Sequence, residues 1–261
     1  MKHKRRNELR YPGLWRGCVG AWNPGLGPTG VTLRDWSGRN NHGKLTNFTS
    51  SSAWQISGGR YAINCDGTDD FINCGSTVPK PSNALTISMW FNRSASGVVF
   101  HFGQWNFVTY AYLLELFSDN KYYMSVSGNG TTVARFISTA ADTTSGEWTH
   151  LLATYSPAGI SVYKNGQAIA GTISGSLPSS IYASSTVPVI IGKYEAGLID
   201  EEVQVFSALV DDCRLYNTVL SQSQIRMLSS RRGIAYEMAP RRRSSVLVSL
   251  NLNNLMMGSS F

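Results

Sequence analysis

The strongest constraint on the fold is a train of short segments with apolar residues at every second position and no helical periodicity between them. LTISMWFN (85–92), YAYLLELF (110–117), KYYMSVSG (121–128), TVARFIST (132–139) and WTHLLATYS (148–156) are rich in β-branched and aromatic residues. VVFHFG (98–103), ISVYKNG (160–166), VPVIIGKY (187–194), VQVFSAL (203–209) and VDDCRLYN (210–217) read the same way. Gly, Asn, Asp, Ser and Pro clusters separate them. SDNK (118–121) and KNGQ (164–167) are hairpin turns in this reading, the second with an Asn-Gly pair suited to positive φ. Closely spaced strands without crossover helices specify an all-β, two-sheet antiparallel sandwich. A length of 261 residues suits one large sandwich, and 42% hydrophobic against 15% charged residues supplies a core without staples.

One helix is expected near the C-terminal end. In TVLSQSQIRMLSSRRG, Ser221 stands as N-cap with Gln224 three residues on, the spacing of a capping box. Ile225, Met227 and Leu228 form its apolar face and Gly233 its stop. Beyond it, VLVSLNLNNL alternates as a half-buried strand outside the sandwich, and such a strand needs a partner.

Charge divides the chain further. Residues 1–10 carry a net +4 through Lys2, Lys4, Arg5, Arg6 and Arg10 against Glu8. Residues 226–261 carry +5, with Arg241, Arg242 and Arg243 in a row, and the body between is −2. A basic nucleic-acid face on the body is therefore not supported. The basic ends are either solvated tails or contacts for nucleic acid, an acidic protein surface or an anionic membrane. The expected organisation is a basic arm over 1–15, a sandwich over 16–230 and a basic tail with an apolar strand over 231–261. Arg5, Arg6, Arg10, Arg241, Arg242 and Arg243 are the candidate assembly contacts. No apolar stretch follows the charged start, so synthesis without a secretory signal is expected, and no run is long enough to span a bilayer. Cys18, Cys65, Cys74 and Cys213 form no CxxC pair. A bridge between Cys65 and Cys74 is open to them, with reduced thiols favoured.

Several segments, in order, resemble the LamG-like jelly-roll family of the concanavalin A-like lectin/glucanase superfamily. GCVGAWNPGLGPTGVTLRDWSGRNNHGKLTN (17–47) is similar to that family's opening strand and D-x-SG-x-x-NHG turn. INCDGTDDFINCG (63–75) resembles its strand-turn-strand, LTISMWFN the strand with its buried Trp, here Trp90, and EWTHLLATYSPAGISVYKNGQAIA (147–170) its most recognisable hairpin. VDDCRLYNTVLSQSQI (210–225) resembles its last strand and following helix. The resemblance covers about residues 16–228 and implies a jelly-roll in which Trp22, Trp90 and Trp148 are core residues. It implies first and last strands lying side by side, and a structural calcium at that corner held by Asp35, Asp211 and turn carbonyls near Asn40 and Gly43. The alternative for these residues is an Asx-type turn at Asp35 and a pairing of Asp211 with Arg34 or Arg214. Asp66, Asp69 and Asp70 sit where pentraxin-like relatives have a calcium-binding acid, and turn formation is the expected role here. Asp200, Glu201 and Glu202 form an acidic run that is either a solvated loop or a dock for a basic tail.

Retaining glucanases of the superfamily carry paired acids as E-x-D-x-x-E, a spacing this chain lacks; Glu115 stands alone. His101 and His150 lie in apolar strands and are expected to be core or groove residues. For sugar stacking the candidates near loops are Trp54, Trp105, Tyr110, Tyr112 and Tyr194. The expected function is a non-enzymatic lectin-like component of a larger assembly, a virus or phage particle, as decoration, fibre or tail protein, with other virion proteins and further copies as partners. RRGIAYEMAPRRRSS resembles tails that follow LamG-like domains in some viral and bacterial genomes. The alternatives are a stand-alone, calcium-supported carbohydrate-binding module and a glycoside hydrolase, with a cytoplasmic or non-classically exported location in place of the virion.

Overall fold

The computed structural model describes residues 7–49, 52–95, 100–105, 109–192 and 207–240. The chain opens with β1 (Asn7–Leu9), a 3-10 turn (Pro12–Trp15), β2 (Cys18–Trp22), β3 (Thr32–Leu33), β4 (Gly43–Thr46), β5 (Trp54–Ser57), β6 (Arg60–Asp66) and β7 (Phe71–Asn73). The long strands follow: β8 (Leu85–Arg93), β9 (Phe100–Trp105), β10 (Tyr110–Leu116), β11 (Tyr122–Val126), β12 (Ala134–Ser138) and β13 (Thr149–Ser156). It closes with β14 (Gly159–Lys164), β15 (Gln167–Ala168), β16 (Gly171–Ser174), β17 (Val189–Gly192), β18 (Ser207–Tyr216), α1 (Gln222–Ser230), a 3-10 turn (Ile234–Tyr236) and β19 (Met238–Pro240).

Two antiparallel sheets stack as a jelly-roll sandwich. One has nine strands in the order β16-β12-β11-β10-β9-β17-β7-β4-β3. The other has eight, ordered β15-β14-β13-β8-β18-β6-β5, with β2 also paired to β18. Alternation along each strand sends one set of side chains between the sheets. Leu85, Ile87, Met89 and Phe91 from β8 meet Tyr112, Leu114 and Leu116 from β10, with Trp22 edge-to-face on Phe102 at 6.1 Å. Each large apolar side chain buried in this way contributes about 1.5–3 kcal/mol relative to leaving it in water. All four cysteines are buried and free, and Cys65, Cys74 and Cys213 belong to this core.

The first and last strands do lie side by side, β2 along Cys213–Tyr216. The two segments read from sequence as 203–209 and 210–217 are one strand over their described residues, interrupted by a bulge. β6 pairs Ser207–Val210 and β2 takes over at Cys213, and the register shifts between Asp211 and Arg214. Asp212 sits there at φ 47. The extra residue lets Val210 and Cys213 both face the core despite their spacing. At the KNGQ hairpin, Asn165 and Gly166 have φ 50 and 78, as an Asn-Gly turn requires.

A second apolar cluster covers the outer face of the eight-stranded sheet. Leu152 and Tyr216 project outward and meet Ile225 and Leu228 of α1, Leu14 of the first 3-10 turn, and Ile234 and Ala235 of the second. Ser221 caps α1 with the full capping box: its hydroxyl accepts the Gln224 N–H, and the Gln224 side chain accepts the Ser221 N–H. The helix ends at Ser230, before Gly233, which at φ 71 opens the second 3-10 turn. β1 then pairs β19, Asn7 opposite Pro240. The expected boundaries at 15/16 and 230/231 thus fall inside packed structure. Leu14, Ile234 and Ala235 are too apolar to remain in solvent.

Candidate functional site: the outer face of the nine-stranded sheet

Because Tyr112, Leu114 and Leu116 point into the core, Leu113 and Glu115 of β10 point out. Register then decides their neighbours. Glu115 lies opposite His101 of β9 and Tyr123 of β11, Ser125 of β11 lies opposite Arg135 of β12, and Arg135 lies opposite Ser174 of β16. Five strands therefore place a polar row across one sheet face. It runs from Glu115 and His101, 6% and 8% exposed, to Thr172 and Ser174 at the exposed edge.

The row is held in place from within. The Glu115 carboxylate is 3.4 Å from His101 Nε2. Burial pushes Glu115 up to about 7, against the nearby Arg135 charge, and pushes His101 down to about 4. Near neutral pH the imidazole is uncharged and the carboxyl partly protonated. Arg135 Nε donates to Ser125 Oγ at 2.8 Å, and its guanidinium lies 5.9 Å from the Tyr123 ring centre. The Tyr123 hydroxyl donates to Asp119 Oδ2 at 2.8 Å.

The corner expected to hold calcium is built differently. Asp35 Oδ1 accepts the N–H groups of Ala21 and Ser37, and Oδ2 accepts the Ser37 hydroxyl and the Asn41 N–H, at 2.8–3.0 Å. Four donors thus fill the carboxylate and fold the turn around it. Asn40 is an exposed turn residue at φ 60, and Gly43 leaves room for Ile72, whose Cγ2 a Cβ would meet at 2.5 Å. Asp211 shares no hydrogen-bond partner with Asp35. Its Oδ2 faces Arg60 Nε and Arg232, each at 3.5 Å, and burial with the adjacent Asp212 pushes it up to about 7. A carboxylate surrounded by N–H donors and another between two guanidinium groups do not fit a calcium cage.

Asp212 and Arg214 complete a buried knot over the eight-stranded sheet. Arg214 Nε pairs Asp212 Oδ1 at 2.7 Å, and its guanidinium lies against the rings of both Trp15 and Tyr236, at 4.6 and 4.7 Å from their centres. Asp212 Oδ2 accepts the Gly233 N–H, and the Tyr216 hydroxyl donates to the Leu14 carbonyl. Arg232 stacks on Trp148 at 3.8 Å. These contacts bind both ends of the body to β18. Among the described residues, the acids best placed for a cation are Asp66, Asp69 and Asp70, each offering an oxygen within 4.8 Å of the others. Asp70 is buried and its Oδ1 has no hydrogen-bond partner, an orphan acceptor that a calcium ion would satisfy.

The expected stacking residues divide. Tyr112, 1% exposed, is a core residue, because alternation along β10 puts it on the same face as Leu114 and Leu116. Trp54 packs against the core and donates to the Gly30 carbonyl at 2.9 Å, which makes it an edge residue of the sandwich. Tyr110 is half-buried at the start of β10, opposite Trp105, the last residue of β9. Tyr194, Arg5, Arg6, Arg241, Arg242, Arg243, the acidic run 200–202 and the apolar strand after residue 245 lie outside the described residues. Arg10 is described, and it pairs Glu237 at 3.3 Å. The sequence reading missed the row itself. Its one signal was an acid and a histidine placed singly in strands otherwise apolar.

The fold has solved counterparts. The binding domain of Paraclostridial Mosquitocidal Protein 1 superposes with a TM-score of 0.59 at 17% identity, over 83% of this chain and 52% of that one. A botulinum neurotoxin type C structure, concerned with cell entry through two ganglioside molecules, gives 0.56 at 15%, over 84% and 52%. Trypanosoma rangeli sialidase in complex with sialic acid gives 0.52 at 15%, over 82% and 33%. The chain spans about half or less of each counterpart, and at these identities the likeness is one of fold. No curated protein matches the chain in sequence. A family model matches residues 66–226, from the acidic turn through the first half of α1 and thus across the whole polar row. The chain accordingly belongs to the concanavalin A-like lectin/glucanases superfamily.

Proposed function

We propose that the protein is a non-enzymatic, lectin-like attachment component of a larger assembly, mounted by its basic ends and binding a glycan on the outer face of the nine-stranded sheet. The observation that carries this reading is the inequality of the two outer faces. One is covered by both ends of the body, and the other carries the polar row. The pairing of β1 with β19 brings residues 7 and 240 together, so the segments bearing Arg5, Arg6 and Arg241–Arg243 are attached at one place. A virus or phage particle is the setting that suits two basic anchors on a lectin-like body, with other particle proteins and further copies as partners. The ganglioside and sialic acid of the counterparts support a glycan as the ligand. The row carries one carboxyl, Glu115, at its buried end, while Asp119 is engaged by Tyr123. Hydrolysis by the usual route needs two flanking carboxyl groups, so binding is the better reading. Calcium support belongs at Asp66, Asp69 and Asp70, where it would brace the turn between β6 and β7. Millimolar calcium is expected to raise Tm, and Asp69→Asn to remove that rise.

The test removes residues 1–6 and 241–261 alone, because cutting further would take Tyr236 off Arg214. The trimmed body is expected to keep its fold and glycan binding and to lose incorporation into purified particles, read by mass spectrometry. Undiminished incorporation would overturn the mount, and absence of glycan binding by the intact chain would overturn the face.

A further inference from the structure

We infer that the exposed end of the polar row takes an acidic sugar, with Arg135 receiving its carboxylate or sulfate group. This inference rests on the reading of that face as a glycan site and specifies its ligand class. Arg135 is a half-buried cation to which the described residues offer no carboxylate within ion-pair distance. Its Nε is fixed by Ser125, a fully buried hydroxyl, and its plane lies near the Tyr123 ring. Those two contacts leave the terminal nitrogens of the guanidinium with no hydrogen bond to a described residue. A fork fixed in this way matches the geometry of a carboxylate or sulfate and loses little entropy on binding it. The flanking groups suit the rest of a sugar. Ile137 lies beside Tyr123 in register, an apolar surface for a pyranose face, and Thr172 and Ser174 add exposed hydroxyls on β16.

The other charged groups facing this end are Glu115 on β10, His101 on β9 and Asp119 in the turn before β11. Asp119 is tied to the Tyr123 hydroxyl, and His101 is held neutral by burial. Glu115 is the group that changes charge near neutral pH, and its ionised form opposes an anion beside it. Affinity is therefore expected to rise as pH falls through about 7.

The experiment presents the full-length chain with a glycan array in which each neutral oligosaccharide is paired with its uronate and its sulfate ester, followed by calorimetry on the best pair. Acidic members are expected to bind about 10- to 100-fold more tightly than their neutral parents, as a charge-assisted bidentate contact would give. Arg135→Gln is expected to abolish that preference and Arg135→Lys to keep part of it. Glu115→Gln should flatten the pH profile of binding. Equal binding of neutral and acidic members, unaffected by Arg135→Gln, would overturn the inference and leave the glycan site standing. No binding by any member would remove the site as well. Preference for uronates over sulfates, or the reverse, supports the inference and identifies the anionic group.

Discussion

The two outer sheet faces of this sandwich treat buried charge in opposite ways. On the eight-stranded sheet, Arg214 and Asp212 are fully enclosed and paired, with the guanidinium against two aromatic rings and the carboxylate also taking a backbone N–H. On the nine-stranded sheet, Glu115 has an imidazole beside it at 3.4 Å, and Arg135 is fixed on one side only. The first arrangement pairs each charge with an opposite charge within the chain and so contributes structure, although Arg214 Nη2 has no hydrogen-bond partner. The second leaves hydrogen-bonding capacity for a partner. Burial alone therefore does not separate the structural charges of this chain from its functional ones; the presence of an opposite charge within ion-pair distance does.

The comparison breaks most visibly at Arg214. Arg214→Ala leaves Asp212 buried without its cation and a cavity beside the rings of Trp15 and Tyr236. A loss of about 3–5 kcal/mol is expected in urea unfolding, the scale for removing one partner of a buried pair. Arg135→Gln, on the other face, should change stability by less than about 1 kcal/mol. Similar losses in the two variants would erase the distinction.

A smaller effect tests the titration. Glu115 has a pKa of about 7 in the fold, above its unfolded value, so its contribution is full below about pH 4.5 and is lost as pH rises through 7. Glu115→Gln should remove a decline of roughly 2–4 kcal/mol between those limits, measured by unfolding at a series of pH values. Asp211, pushed the same way, leaves a residual slope in the variant. An unchanged slope would show that Glu115 ionises as an ordinary carboxyl. The smallest effect sharpens the covered face. Ser221→Ala removes the cap of α1 and is expected to lower stability by about 1 kcal/mol, with glycan binding unchanged.

Much of the fold was legible because the signals are local. Alternation in LTISMWFN and WTHLLATYS, the Asn-Gly turn at 165–166 and the Ser221–Gln224 box each depend on residues a few positions apart. β18 was read as two segments because Asp211 and Asp212 interrupt its alternation, and only pairing with β6 and then β2 shows a bulge within one strand. Tyr112 shares the core face of Leu114 and Leu116, which its nearness to a loop does not reveal. Leu14 and Ile234–Tyr236 were assigned to tails because charged neighbours masked three or four apolar residues. The row was the hardest to see. Glu115 is alone in its strand, and its companions His101, Tyr123 and Arg135 come from three others, so register had to be known first.

The most direct measurement is arginine modification of the native chain by a dicarbonyl reagent, read site by site by mass spectrometry. Arg135 is expected to react readily, and Arg214 only as the protein unfolds. Arg214 reacting as fast as Arg135 under native conditions would contradict the division into one covered face and one presenting face.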